Sequence, residues 1–253
     1  MNIKKLICIS FSVAFLVLLF FPGDFPDNSK FRELLDSASP DKVIIVFNSG
    51  GWGNTPLEKA KDFYPIIEGI EKTLNDLGYK SIIVPYRRTE DSFLGKVEGI
   101  REFLTSFKNQ STKLTHEIEY FQECNPDSKI VIAGLSSGAA FVDKVMEKIS
   151  EKEIKNVFAI EAGIPFWEKA LNSENVLLLD NEGRDSLSKK EIKTLFFSLF
   201  EAPFKLVLAK ISGGNLPFSH AFRVPGHDYF WNSSSTGSKI ATFLEDKFAL
   251  QDF

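Results

Sequence analysis

Cysteine is nearly absent from this chain, with only Cys8 and Cys124 in 253 residues. One lies in an apolar N-terminal run and the other far into the chain, so a disulfide framework is excluded, and no cysteine or histidine cluster has metal-ligand spacing. Histidine is scarce as well: His116, His220 and His227 are the whole supply for any imidazole chemistry. Positive charge is not in excess. The formal net charge of -4 gives no general attraction to polyanions, so a nucleic-acid partner is not expected. Internal repeats are lacking, and the nearest thing to a linker is a short Pro/Asp/Ser-rich passage near residues 22–41. The length suits one sizeable core rather than two full domains.

What is present begins with a targeting segment. Lys4 and Lys5 precede an uncharged, mostly apolar run of 16 residues from Leu6 to Phe21, closed by Pro22, Gly23 and Asp24. This length falls between a signal-peptide core and the roughly 20 residues of a comfortable span. Bulky Phe20 and Phe21 stand where a cleavage site wants small residues, which favours an uncleaved membrane anchor over a secreted product. The lysines on one side keep the N-terminus cytoplasmic and send the rest across. Without those lysines the charge falls by two, from -4 to -6. The expected organisation is therefore an anchor or signal segment over 1–24, a linker over 25–40 and an extracytoplasmic domain over 41–253.

From residue 42 onward, short β-branched runs alternate with helical patterns. "KVIIVFNSGG" (Lys42 to Gly51) reads as a buried parallel strand feeding a tight loop. Ala60, Phe63, Ile67, Ile70 and Leu74 then recur at helical spacing, with Gly78 as a terminator. "KSIIVPYRR" is the next strand, and the long segment from Ser92 to Pro126 reads as mostly helical. "KIVIAGLS", "IKNVFAIEAG" and "NVLLLDNEG" are further strands, with a helix after the first of them. The expected fold is α/β, a three-layer α/β/α sandwich with a mostly parallel sheet and one hydrophobic helix preceding it.

Gly134-Leu135-Ser136-Ser137-Gly138 satisfies G-x-S-x-G, and it stands between a predicted strand and a predicted helix, the context that gives this motif meaning. A serine on such a turn projects from the carboxyl edge of the sheet beside a helix N-terminus, whose N–H groups suit an oxyanion. Ser136 is the expected nucleophile. Ser137 is expected to lend a backbone N–H, with its side chain a bystander. A serine needs a base and an orienting acid. His227, on the turn made by Pro225 and Gly226, is preferred to His220 on a strand and to His116 on a polar helix. For the acid, Asp185 beyond a glycine turn is preferred to Asp180 at the strand end, with Glu161 as a third choice.

The elbow at Gly134 to Gly138, the acid loop from Asp180 to Asp185 and the Gly226-His227 loop together resemble the α/β-hydrolase superfamily. The resemblance covers roughly residues 41 to 249. It implies an eight-stranded, mostly parallel sheet, here lacking the first one or two strands. It also implies an oxyanion donor in "FNSGGWGNT", where Asn48 replaces the common histidine and Ser49, Gly50 and Gly51 all remain open. The implied chemistry is hydrolysis of an ester or related acyl bond through an acyl-enzyme, with no cofactor or metal and a small-molecule acyl substrate. Trp52 and Tyr229, with Phe230 and Trp231, suggest an apolar substrate rim, and the apolar segment over 188–218 suggests a lid or a crossover helix. A catalytically silent binding protein, or an acyltransferase or peptidase on the same scaffold, is the alternative; the pattern is silent on oligomeric state.

Overall fold

The computed structural model describes residues 26–39, 42–185 and 226–249. Helix α1 (Ser29–Asp36) leads into strand β1 (Lys42–Asn48), a 3-10 turn (Leu57–Lys59), α2 (Tyr64–Asp76) and β2 (Lys80–Pro85). Helices α3 (Phe93–Leu104) and α4 (Lys108–Cys124) precede β3 (Ile130–Leu135), α5 (Ser137–Glu151), β4 (Val157–Ala162) and β5 (Val176–Leu179). A π turn (Ser234–Ser238) runs into the closing helix α6 (Lys239–Phe248). The strands form one parallel five-stranded sheet in the order β2-β1-β3-β4-β5.

Strand alternation sorts the core into two layers. Ile44, Val46, Ile130, Ile132, Val157 and Ala159 face one side, where Phe31 and Leu35 of α1, Leu114 and Ile118 of α4 and Phe141 and Val145 of α5 cover them. Val43, Ile45, Phe47, Val131, Ala133, Phe158 and Ile160 face the other, beneath Ile66, Ile67 and Ile70 of α2 and Ile240 and Leu244 of α6. A sheet buried on both faces needs apolar residues at successive positions, and β1, β3 and β4 read that way throughout. The three-layer α/β/α expectation holds.

Three details depart from the expectations. The stretch read as linker contains α1, whose Phe31 meets Tyr86 edge-on at 5.1 Å and is buried in the core. The long helical segment is two helices, because Ser106 and Phe107 both adopt positive φ (50° and 56°) and the Phe107 ring is driven into the core between them. Helix α2 begins at Tyr64, after a 3-10 turn, with Pro65 in its first turn where the missing N–H costs nothing. The anchor run over 1–24, the segment over 188–218 and His220 on its expected strand lie outside the described residues. Among the described residues, no helix is long and apolar enough to cross a membrane.

Candidate active site

The carboxyl ends of β1, β3, β4 and β5 point to one edge of the sheet, and the singled-out residues gather there. Ser136 follows β3 directly and holds φ 57° and ψ -120°, a backbone conformation that a residue with a Cβ adopts only under constraint. Its N–H donates to the Ala162 carbonyl of β4 at 2.8 Å, and its carbonyl accepts the first bond of α5 from Ala140 at 3.0 Å. The two motif glycines explain how so sharp a turn is packed. A Cβ on Gly134 would lie 2.5 Å from the Gly138 carbonyl oxygen, and one on Gly138 would lie 2.6 Å from the Ser49 carbonyl oxygen. Both positions require glycine for close approach of backbone to backbone.

His227 Nδ1 lies 2.8 Å from Asp185 Oδ2, and Asp185 is fully buried while 17% of the His227 side chain reaches solvent. Asp185 is thus the carboxylate beside the imidazole. Asp180 is exposed and takes part through its backbone, its carbonyl accepting from the Gly183 and Asp185 N–H groups. Glu161 is buried one strand away on the side facing α5, with neither carboxylate oxygen hydrogen-bonded, and it does not meet the histidine. His116 is exposed on α4 and pairs with Glu119. The imidazole rests on β4's terminus: a Cβ on Gly163 would lie 2.4 Å from His227 Cε1. Ser136 and His227 thus both meet the dipeptide Ala162-Gly163, Ser136 through the Ala162 carbonyl and His227 through Gly163, although no direct hydrogen bond joins them in this structure.

Two residues do work in this region that their sequence context did not disclose. Tyr229, expected on a substrate rim, is instead buried, and its hydroxyl sits 2.5 Å from Asp185 Oδ2 and 3.1 Å from the Leu179 carbonyl. It supports the acid rather than lining a rim; its place two residues after the histidine was the only available signal. Asn181 donates to the Gly226 carbonyl at 2.9 Å and accepts from Ser235 Oγ at 3.0 Å, tying the acid loop to the histidine loop. Gly226, at φ 77°, passes so near Arg184 that a Cβ there would lie 1.9 Å from its carbonyl oxygen.

Facing Ser136 is the loop after β1. A Cβ on Gly50 would lie 3.6 Å from Ser136 Cβ, so this loop runs alongside the serine. Ser137 is more than a bystander: its hydroxyl donates to the Gly51 carbonyl at 2.6 Å and accepts from Arg88 at 3.1 Å. Its N–H, at the first position of α5, has no carbonyl of its own helix to bond. Trp52 is part-exposed and lies over Gly99 of α3. Four residues further along α3, Phe103 meets Trp167 edge-on at 5.9 Å, extending an aromatic margin from the serine's loop to the loop after β4. Phe230 is exposed, and Trp231 is packed against Gly69 of α2.

No family model matches the chain, and no curated protein matches its sequence. Among solved structures, a Trichoderma reesei cutinase in complex with a C11Y4 phosphonate inhibitor is similar, with a TM-score of 0.48 and 12% identity over 99% of this chain and 94% of that one.

Proposed function

We propose that this chain, an α/β/α sandwich on a parallel sheet, is a serine hydrolase of the α/β-hydrolase type that cleaves carboxylic esters or related acyl bonds. The observation that carries the reading is the pairing of a strained Ser136 at the strand-to-helix elbow with a His227–Asp185 couple held on the adjoining strand end. In the reaction, Ser136 Oγ attacks the acyl carbonyl while His227 takes its proton through Nε2. Asp185 accepts from Nδ1, which fixes the tautomer and stabilises the imidazolium. The tetrahedral oxyanion forms between the Ser137 N–H and an N–H of the Ser49–Gly51 loop. His227 then protonates the leaving alkoxide, and the acyl-enzyme is released by water using the same base.

The aromatic margin of Trp52, Phe103 and Trp167 supports an apolar acyl or alkyl group as the part of the substrate that is recognised. The N-terminal run, read as an anchor, tethers the domain on the extracytoplasmic face of a membrane.

A fluorophosphonate probe tests the assignment. The full-length protein is expected to be labelled and Ser136→Ala to remain unlabelled, while Asp185→Asn, holding the wrong tautomer, hydrolyses p-nitrophenyl butyrate about 10⁴-fold more slowly. A folded wild type that takes no label and hydrolyses no ester of a chain-length series would instead make this a binding protein on a hydrolase scaffold.

A further inference from the structure

Arg88, just beyond β2, is an unusual charge to find in a core. It is 3% exposed, and among the described residues no carboxylate pairs with it. Its guanidinium carbon stands 5.2 Å from the Phe107 ring centroid and 5.6 Å from that of Phe141. Burial is the main force on it, drawing its pKa down to about 10. Buried charges are normally matched by an opposite charge because desolvation is costly. Here the buried Glu102 carboxylate opposes the desolvation from a distance, while every hydrogen bond the guanidinium makes goes to a neutral acceptor, all of them around one loop. One terminal nitrogen donates to the Ser49 carbonyl at 2.9 Å, to the Gly51 carbonyl at 3.3 Å and to Ser137 Oγ at 3.1 Å.

The neighbouring bonds complete a pattern. The Arg88 N–H donates to the Gly53 carbonyl at 2.9 Å, and Thr89 Oγ1 donates to the Trp52 carbonyl at 2.7 Å. The Gly50 carbonyl accepts from the Gly53 N–H at 3.2 Å. Every carbonyl from Ser49 to Gly53 is therefore held, four of the five from the side of Arg88, Thr89 and Ser137. A trans peptide is planar and points its C=O and N–H in opposite directions. Fixing the Ser49 carbonyl against Arg88 turns the Gly50 N–H away from Arg88, and Gly50 is the loop residue that runs beside Ser136. Among the described residues nothing accepts a hydrogen bond from that N–H.

We infer that Arg88 is a positioning residue which locks the Ser49–Gly50 peptide so that the Gly50 N–H, together with that of Ser137, faces the oxyanion formed at Ser136. The inference rests on the serine hydrolase reading, and it selects Gly50 among the three donors left open by the sequence. Lysine cannot substitute, because an ammonium on a flexible stem lacks the planar guanidinium that rests against the Phe107 and Phe141 rings and so fixes where the one donating nitrogen stands. Gly53 belongs to the same device, since a Cβ there would lie 2.4 Å from Arg88 Nε.

The test uses full-length protein carrying Arg88→Lys, Arg88→Ala or Arg88→Met, with p-nitrophenyl butyrate as the probe. The methionine variant removes the buried charge without leaving a void, so it separates folding from positioning. The expected result is a folded Arg88→Met protein whose kcat falls about 100-fold with KM nearly unchanged, as for loss of one oxyanion donor. Arg88→Lys should be equally impaired, and millimolar guanidinium should restore part of the lost kcat of Arg88→Ala. Backbone amides of residues 50–53 should exchange hydrogen faster in all three. A folded Arg88→Met protein with kcat within about threefold of wild type and unaltered exchange over residues 50–53 overturns the inference. If the wild type itself neither labels nor turns over, the hydrolase reading falls on its own, and the exchange data still decide whether Arg88 locks the loop.

Discussion

Ser136 sits at φ 57° with ψ -120°, and strain of this kind costs about 1–3 kcal/mol that the surrounding packing must offset. Glycine relieves it, while alanine keeps the Cβ and therefore the strain. Ser136→Gly should accordingly be more stable than Ser136→Ala by about 1 kcal/mol in urea denaturation, after the greater entropy of glycine in the unfolded chain is subtracted. Equal stabilities would mean that the elbow is not strained. At this scale legibility in the sequence was uneven. G-x-S-x-G, a glycine turn before Asp185 and the Gly226-His227 pair are local spacings, so the serine, acid and histidine could be nominated by inspection. Arg88 could not, because its acceptors lie 37 to 49 positions away and are largely backbone carbonyls, which carry no residue signature. Tyr229 misled for the same reason: an aromatic beside a histidine looks like a rim, and only the fold decides that its hydroxyl points inward to Asp185.

Strand β4 carries a second tension. Its Val157, Ala159 and Glu161 alternate toward α5, so the glutamate enters the covered face of the sheet with both oxygens unbonded. Desolvation raises its pKa well above the ordinary carboxyl value, the nearby Asp143 and Glu147 charges push the same way, and Lys144 opposes them. Asp143 is itself buried, its Oδ1 accepting the Leu171 N–H at 2.6 Å. A carboxyl raised in the folded state holds its proton longer than in the unfolded chain. Its favourable contribution is complete below the unfolded pKa and is lost as pH rises toward the folded value. Glu161→Gln removes that loss. Thermal melts should show the variant and wild type close together at pH 4.5 and the variant ahead at pH 7.5, by about 2–4 °C for each kcal/mol gained. A constant difference across that range would mean that Glu161 is ionised throughout. Elements were easier to foresee than their seams. The strands announced themselves through β-branched runs, whereas α1 is only eight residues long beside a Pro/Asp/Ser-rich passage, and the break between α3 and α4 falls at positions without glycine.

Across the described residues, the two layers of the core cover both faces of the sheet, and the loops leaving its carboxyl edge carry Ser136, Asp185, His227 and the aromatic margin. Trp52, Phe103 and Trp167 each expose a third or more of their surface there. If this margin receives the acyl chain, replacing Phe103 and Trp167 together by serine should lower kcat/KM for an octanoyl ester roughly tenfold while an acetyl ester is barely affected, in line with about 1.5 kcal/mol of lost apolar contact. An equal loss on both esters would place the chain elsewhere. One further consequence follows from Gly163, at φ 67°, on which the imidazole lies. The methyl group of alanine at this position would occupy the space of the ring's Cε1, so Gly163→Ala should bring ester hydrolysis to the level of a His227→Ala protein while near-ultraviolet circular dichroism remains native. Every polar atom of the site would still be in the chain. If the site is catalytic, a single methyl would therefore silence it while leaving the serine, the histidine and the aspartate in their places.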